Sequence, residues 1–158
     1  MLARVFPKYF DNEFIGYKFS LWIFYALTAL TLWRSQHHLF APDGGAESIA
    51  SIPLSSYAEA PADTIVGVFS LWGLSQLIIG LIYLVACIRY KSMIPLLYLL
   101  AALEYLVRFG YVGVYKSIET SGTAPGAVIN LPFAIAFTVL FFFSISRPKN
   151  GTPNQNSV

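Results

Sequence analysis

An all-α fold, four transmembrane helices packed antiparallel, is what this sequence predicts, and three observations predict it. Apolar residues make up 56% of the 158 positions and charged residues only 11%, against about a quarter charged in soluble domains. The apolar residues gather into four long runs, each near the roughly 20 residues that cross a bilayer as a helix. None of the runs alternates polar with apolar over about ten residues, as the strand of a membrane barrel would. The polar segments between them leave no stretch for a separate soluble domain.

Residues 1–15, which include MLARVFPKYFDNEF, mix basic, aromatic and acidic side chains. They suit a short interfacial segment on the cytoplasmic side, or equally a frayed terminus. Asp11 and Glu13 interrupt the positive charge, and no small-residue cleavage pattern follows Trp33 and Arg34. The first apolar run is therefore expected to be retained as a helix, not removed as a signal peptide. That helix covers about residues 16–40, with Thr31, Arg34 and His38 on one stripe. Residues 41–63 form a long connection with three prolines and two glycines; its Asp43, Glu47, Glu59 and Asp63 are balanced by no Lys or Arg. Connections of that length are often lids or compact surface loops, and IASIPL (Ile49–Leu54) is apolar enough to pack on the bundle mouth.

The second helix is expected over about 64–90. Gly73, Gln76, Gly80, Tyr83 and Cys87 share a face there, and small residues on it let another helix approach closely. Arg89 and Lys91 mark a short turn into the third helix, about 92–115, so these two helices are antiparallel neighbours. The fourth covers about 127–146, with Pro132 near its start. The tail, 147–158, is polar and rich in Asn and Pro, and is expected to be disordered. Arg4, Lys8, Lys18, Arg89, Lys91, Arg147 and Lys149 all fall on one side; Lys116, Arg34 and the acidic loop fall towards the other. Excess Lys and Arg stays inside, so both termini are expected in the cytoplasm.

The polar residues inside these runs are the candidate site. Glu104 and Arg108 lie four apart in the third run and meet on one helical face, which Tyr111 continues. A charged side chain at mid-bilayer costs about 2.5–3.5 kcal/mol on insertion scales and turns to a partner, a cavity or a bundle interior. Gln76 and Glu104 sit near mid-membrane; Arg108, Arg34 and Asn130 sit about a turn further out. Arg34, Gln76, Glu104, Arg108, Tyr111 and Asn130 are thus candidate ligand-binding residues. They suit equally a purely structural network that ties the helices together, or a seam that meets another subunit. Arg34, near a helix end, also has the reach to snorkel to headgroups.

Other chemistries are set aside. His37 and His38 are expected as titratable residues at the outer interface; adjacent on a helix, they diverge by about 100° and do not share one ion. With Cys87 the single cysteine and these the two histidines, no disulfide, dithiol or multi-cysteine metal site is expected within one chain. There is no glycine-rich phosphate loop and no long basic run, so nucleotide chemistry and nucleic-acid partners are not expected. Trp22, Trp33, Tyr90 and the run Phe141–Phe143 read as interface belts and lipid-facing bulk.

Three segments, FAPDGGAESIA (Phe40–Ala50), LWGLSQLIIGLIYLVACIRYK (Leu71–Lys91) and LEYLVRFG with TAPGAVINLP (Leu103–Pro132), resemble uncharacterised four-helix bacterial inner-membrane proteins, distantly like the DoxX bundles. The resemblance covers about residues 17–146 and implies a four-helix bundle in a bacterial inner membrane; it transfers no catalytic residue. The expected function is binding or moving a lipid, quinone or other amphiphile in a polar cavity of the outer leaflet. No other cofactor is expected. The alternatives are an accessory subunit of a larger membrane complex or a homo-oligomer, and a membrane enzyme using Glu104 as acid or base. The last is disfavoured because a neighbouring guanidinium stabilises the charged carboxylate.

Overall fold

A computed structural model describes residues 2–146, and all its regular elements are helical. The expectation of a disordered tail over 147–158 lies outside the described residues. The elements are α1 (Leu2–Val5), α2 (Lys18–Phe40), a single 3-10 turn (Leu54–Ser56), α3 (Glu59–Ile88), a second 3-10 turn (Lys91–Met93), α4 (Ile94–Val107), a π turn (Arg108–Val112), α5 (Gly113–Tyr115) and α6 (Pro125–Ile145). Three helical stretches, Glu59–Ile88, Lys91–Tyr115 and Pro125–Ile145, are long and apolar enough to cross a membrane. α2 matches them in length, about 35 Å at 1.5 Å per residue, but is more polar. Three of its hydroxyls turn back to nearby backbone: Ser20, Thr28 and Ser35 donate to the carbonyls of Tyr17, Phe24 and Leu32.

Helix boundaries follow proline and charge. α3 begins at Glu59 rather than near residue 64, because Pro61 falls in the first turn, where its missing N–H costs nothing. Glu59 stands there beside the positive end of the helix dipole. α6 likewise starts at Pro125, with the proline at its first position.

The helices pack most closely as two pairs, α2 with α3 and α4 with α6. In the first pair the buried face of α3 carries Gly73, Gln76, Gly80, Tyr83 and Ala86. A Cβ on Gly73 would lie 2.7 Å from the Leu39 nitrogen, and one on Gly80 2.9 Å from the Leu32 side chain. The second pair joins through Ala101, Ala102 and Ala134 around Tyr98, Tyr105, Phe137 and Leu140. At the end bearing the N-terminal segment the two pairs share a core of Phe24, Tyr83 and Tyr98, and the Tyr98 hydroxyl donates to the Ser20 carbonyl at 2.6 Å.

The N-terminal segment folds across that end. Arg4 donates to the Ile145 carbonyl at the close of α6, where a cation meets the negative end of the helix. Asp11 and Ser92 exchange hydrogen bonds, the Tyr17 N–H donates to the Phe143 carbonyl, and Gly16 lies against the Ser144 backbone. Leu2, Phe6, Tyr9 and Phe10 remain exposed. At the opposite end the 41–58 connection turns down onto the helices and buries Ala46 and Ile52. It is tied to the α5–α6 connection by the Ser51 carbonyl, which accepts from the Ser121 N–H at 2.8 Å and from its hydroxyl at 3.1 Å.

Candidate functional site

A small cleft opens where the two helix pairs meet. α2 lines it with Leu27, Thr31 and Arg34, α3 with Gln76, Ile79 and Tyr83, α4 with Ala101, Glu104 and Tyr105, and α6 with Phe137. Its free volume is about 20 Å³, room for about one water molecule. Four long helices thus contribute to one layer, and three of the polar residues singled out from the sequence, Arg34, Gln76 and Glu104, line it together.

The centre of the layer is Glu104. Its Oε1 accepts from Arg108 Nη2 at 2.5 Å and from Gln76 Nε2 at 3.3 Å. The ion pair is neither sealed nor free: Arg108 is 25% exposed and Glu104 32%. Arg108 pairs along its own helix, at the i+4 spacing, while Gln76 crosses from α3, so the carboxylate joins the two helix pairs.

Above the carboxylate lies Trp72. The Arg34 guanidinium carbon stands 5.9 Å from the Trp72 ring centre and that of Arg108 5.2 Å, with Arg108 also 5.3 Å from Tyr105. These separations fall within the reach of cation–π attraction, about 6 Å. One indole therefore serves two guanidinium groups. Arg34 makes no ion pair among the described residues, and the charges in the layer are two guanidinium groups against one carboxylate, a net of one positive.

The remaining candidates are placed differently. Tyr111 is 55% exposed, stacked on Tyr115 with ring centres 5.4 Å apart, and does not join the Glu104 face. The reason is the π turn over Arg108–Val112: it inserts one extra residue, and every position after it falls about 100° behind a regular α-helix. Asn130 continues the stripe of Ala134 and Phe137 but lies about two turns from Phe137, the residue of α6 that lines the cleft, and is half-buried.

His38 corrects the expectation of an interfacial titratable pair. His37 is exposed, whereas His38 is 2% exposed, with its Nδ1–H donating to the Gly44 carbonyl at 2.8 Å and its ring 4.6 Å from Trp72. The left-handed Gly44 and Gly45 fold the loop back over the ring; a Cβ on Gly45 would come within 2.7 Å of His38 Nδ1. His38 thus holds the loop on Trp72. Among the described residues no three His, Cys, Asp or Glu side chains converge as metal ligands would.

Trp72 escaped the sequence reading, which assigned Trp22 and Trp33 to interface belts and gave Trp72 no role. Its spacing from Gln76, four residues along the same helix, was the available signal. In chemical terms the layer is an anion-attracting, partly dry cleft: guanidinium groups beside an aromatic plate and one carboxylate, with Thr31, Tyr83 and Tyr105 also on its wall. Comparison with known proteins found no matching family model, no curated protein and no solved structure.

Proposed function

We propose that this chain is a four-crossing protein of a bacterial inner membrane, termini in the cytoplasm, that binds an amphiphile by its polar head at the cleft between the two helix pairs. What supports the reading above all is Arg34: a half-buried guanidinium with no acidic partner among the described residues, turned inward over Trp72 instead of outward to the surface. A cation held that way in an apolar setting is stabilised by whatever brings it electron-rich oxygen. With room for about one water molecule, the cleft admits only an anionic oxygen at the tip of a ligand's head, with the rest of that ligand lying outside. Its chains stay among the exposed helix faces and the acyl chains around them, so a lipid fits this reading better than an enclosed quinone.

Glu104 holds Arg108 and, through Gln76, the spacing of the two pairs. Arg34→Gln and Arg108→Leu are expected to lose a co-purifying amphiphile about fivefold or more while the helices still fold. Extraction with native lipids followed by mass spectrometry of everything that co-elutes measures this. Equal retention by wild type and both variants would sink the reading. Co-elution of a fixed protein subunit with no enriched amphiphile would put an accessory role in a larger complex in its place.

A further inference from the structure

We infer that the head bound at the cleft carries a single negative charge, a phosphodiester or a carboxylate, and that Arg34 is the group that receives it. The inference rests on the amphiphile reading above and adds the ligand's charge class. Among the described residues Glu104 is the single acidic residue lining the cleft, and its Oε1 is already committed to Arg108 and Gln76. The excess charge therefore resides on Arg34, which lines the cleft with its guanidinium carbon 5.9 Å from the Trp72 ring centre and makes no ion pair among the described residues. A guanidinium whose N–H donors are uncommitted is the group that meets a carboxylate or phosphate side-on. One added negative charge brings the layer to neutrality. A zwitterionic head would bring an ammonium to a site that is already net positive, and the cleft offers that ammonium no second carboxylate.

Trp72 supplies the reporter, because it touches the guanidinium group itself. Trp22 and Trp33 are exposed and do not line the cleft, so W22F/W33F leaves one indole. This protein is reconstituted into phosphatidylcholine vesicles carrying dibrominated phosphatidylglycerol, dibrominated phosphatidylcholine or a brominated fatty acid, and Trp72 quenching is read as association relative to the host lipid. One basic residue near anionic lipid is worth about a fivefold preference, so phosphatidylglycerol, the fatty acid or both should exceed phosphatidylcholine by about that factor. Which of the two does so identifies the source of the anion. Arg34→Gln should bring the ratio to about one, and Arg34→Lys, which keeps the charge but not the fork, should fall between Arg34→Gln and wild type. An undiminished preference in a folded Arg34→Gln would make Arg34 a packing group and overturn the inference. If brominated phosphatidylcholine associates as strongly as the anionic amphiphiles, with all above host lipid, the charge class falls while the amphiphile site stands. If none exceeds host lipid, the amphiphile reading itself falls.

Discussion

Asp43 shows how a single side chain organises the loop that folds back over His38. Its Oδ1 accepts from the Gly45 N–H at 2.9 Å, and its Oδ2 from those of Glu47 and Ser48 at 3.1 and 2.7 Å. It acts as a helix cap does, satisfying donors that have no carbonyl to meet. Partial burial works to raise its pKa, but the hydrogen bonds from Ser48 and Gly45 outweigh that and hold the carboxyl down at about 2. A carboxyl whose folded pKa is depressed contributes stability above its unfolded value and loses it as pH falls towards the folded one. In detergent, wild type should therefore be more stable than Asp43→Asn near neutral pH. The gap should close as pH drops from about 4 towards 2, and thermal unfolding followed by tryptophan emission measures it. A gap independent of pH would mean that the charge is not what caps the loop. At this scale the Glu104–Arg108 pair was legible in the sequence, because both members lie on one helix at a spacing that forces contact. The burial of His38 was not, because it depends on a loop folding back from beyond the end of its helix.

Between elements, glycine decides how close the helices come. In a helix interior glycine is about 1 kcal/mol worse than alanine, so Gly→Ala is stabilising where there is room. Gly67 has such room, with nothing within 4 Å of a built Cβ, whereas at Gly73 the Cβ would meet the backbone of His38 and Leu39 at 2.7–2.8 Å. Gly67→Ala should be neutral or stabilising by about 0.5–1 kcal/mol, and Gly73→Ala destabilising by about 1–3 kcal/mol. Reversible unfolding in mixed micelles compares them; equal effects would mean that the α2–α3 contact at Gly73 is looser than described. The face of α3 that makes this contact was readable from small and polar residues at helical spacing. The π turn was not: every residue from Arg108 to Val112 is compatible with an α-helix, and what the wider turn changes is the direction in which Tyr111 points.

For the whole molecule, the two helix pairs are joined firmly at the end that holds the N-terminal segment and more sparingly at the loop end, where the hydrogen bonds Gln76–Glu104 and Ser51–Ser121 and the Arg108–Trp72 contact are side-chain-mediated links among the described residues. The proposed orientation assigns each connection a side. In a Cys87→Ala background, cysteines placed at Glu47 and Glu119 should react with a membrane-impermeant thiol reagent applied outside, and cysteines at Lys8 and Arg89 only after permeabilisation. Labelling of Lys8→Cys together with Glu47→Cys from outside would mean that α2 does not cross. The sequence by itself determined the helical class, the approximate extent of the long helices and the polar spacing within each, because length, apolarity and the 3.6-residue period are local properties of a chain. Tertiary structure alone decided that the helices associate as two pairs, that Trp72 lies under two guanidinium groups, and that Arg34 is left over. Those are matters of which surfaces meet, and side chains far apart in sequence acquire a shared charge balance only once packing has brought them into one layer.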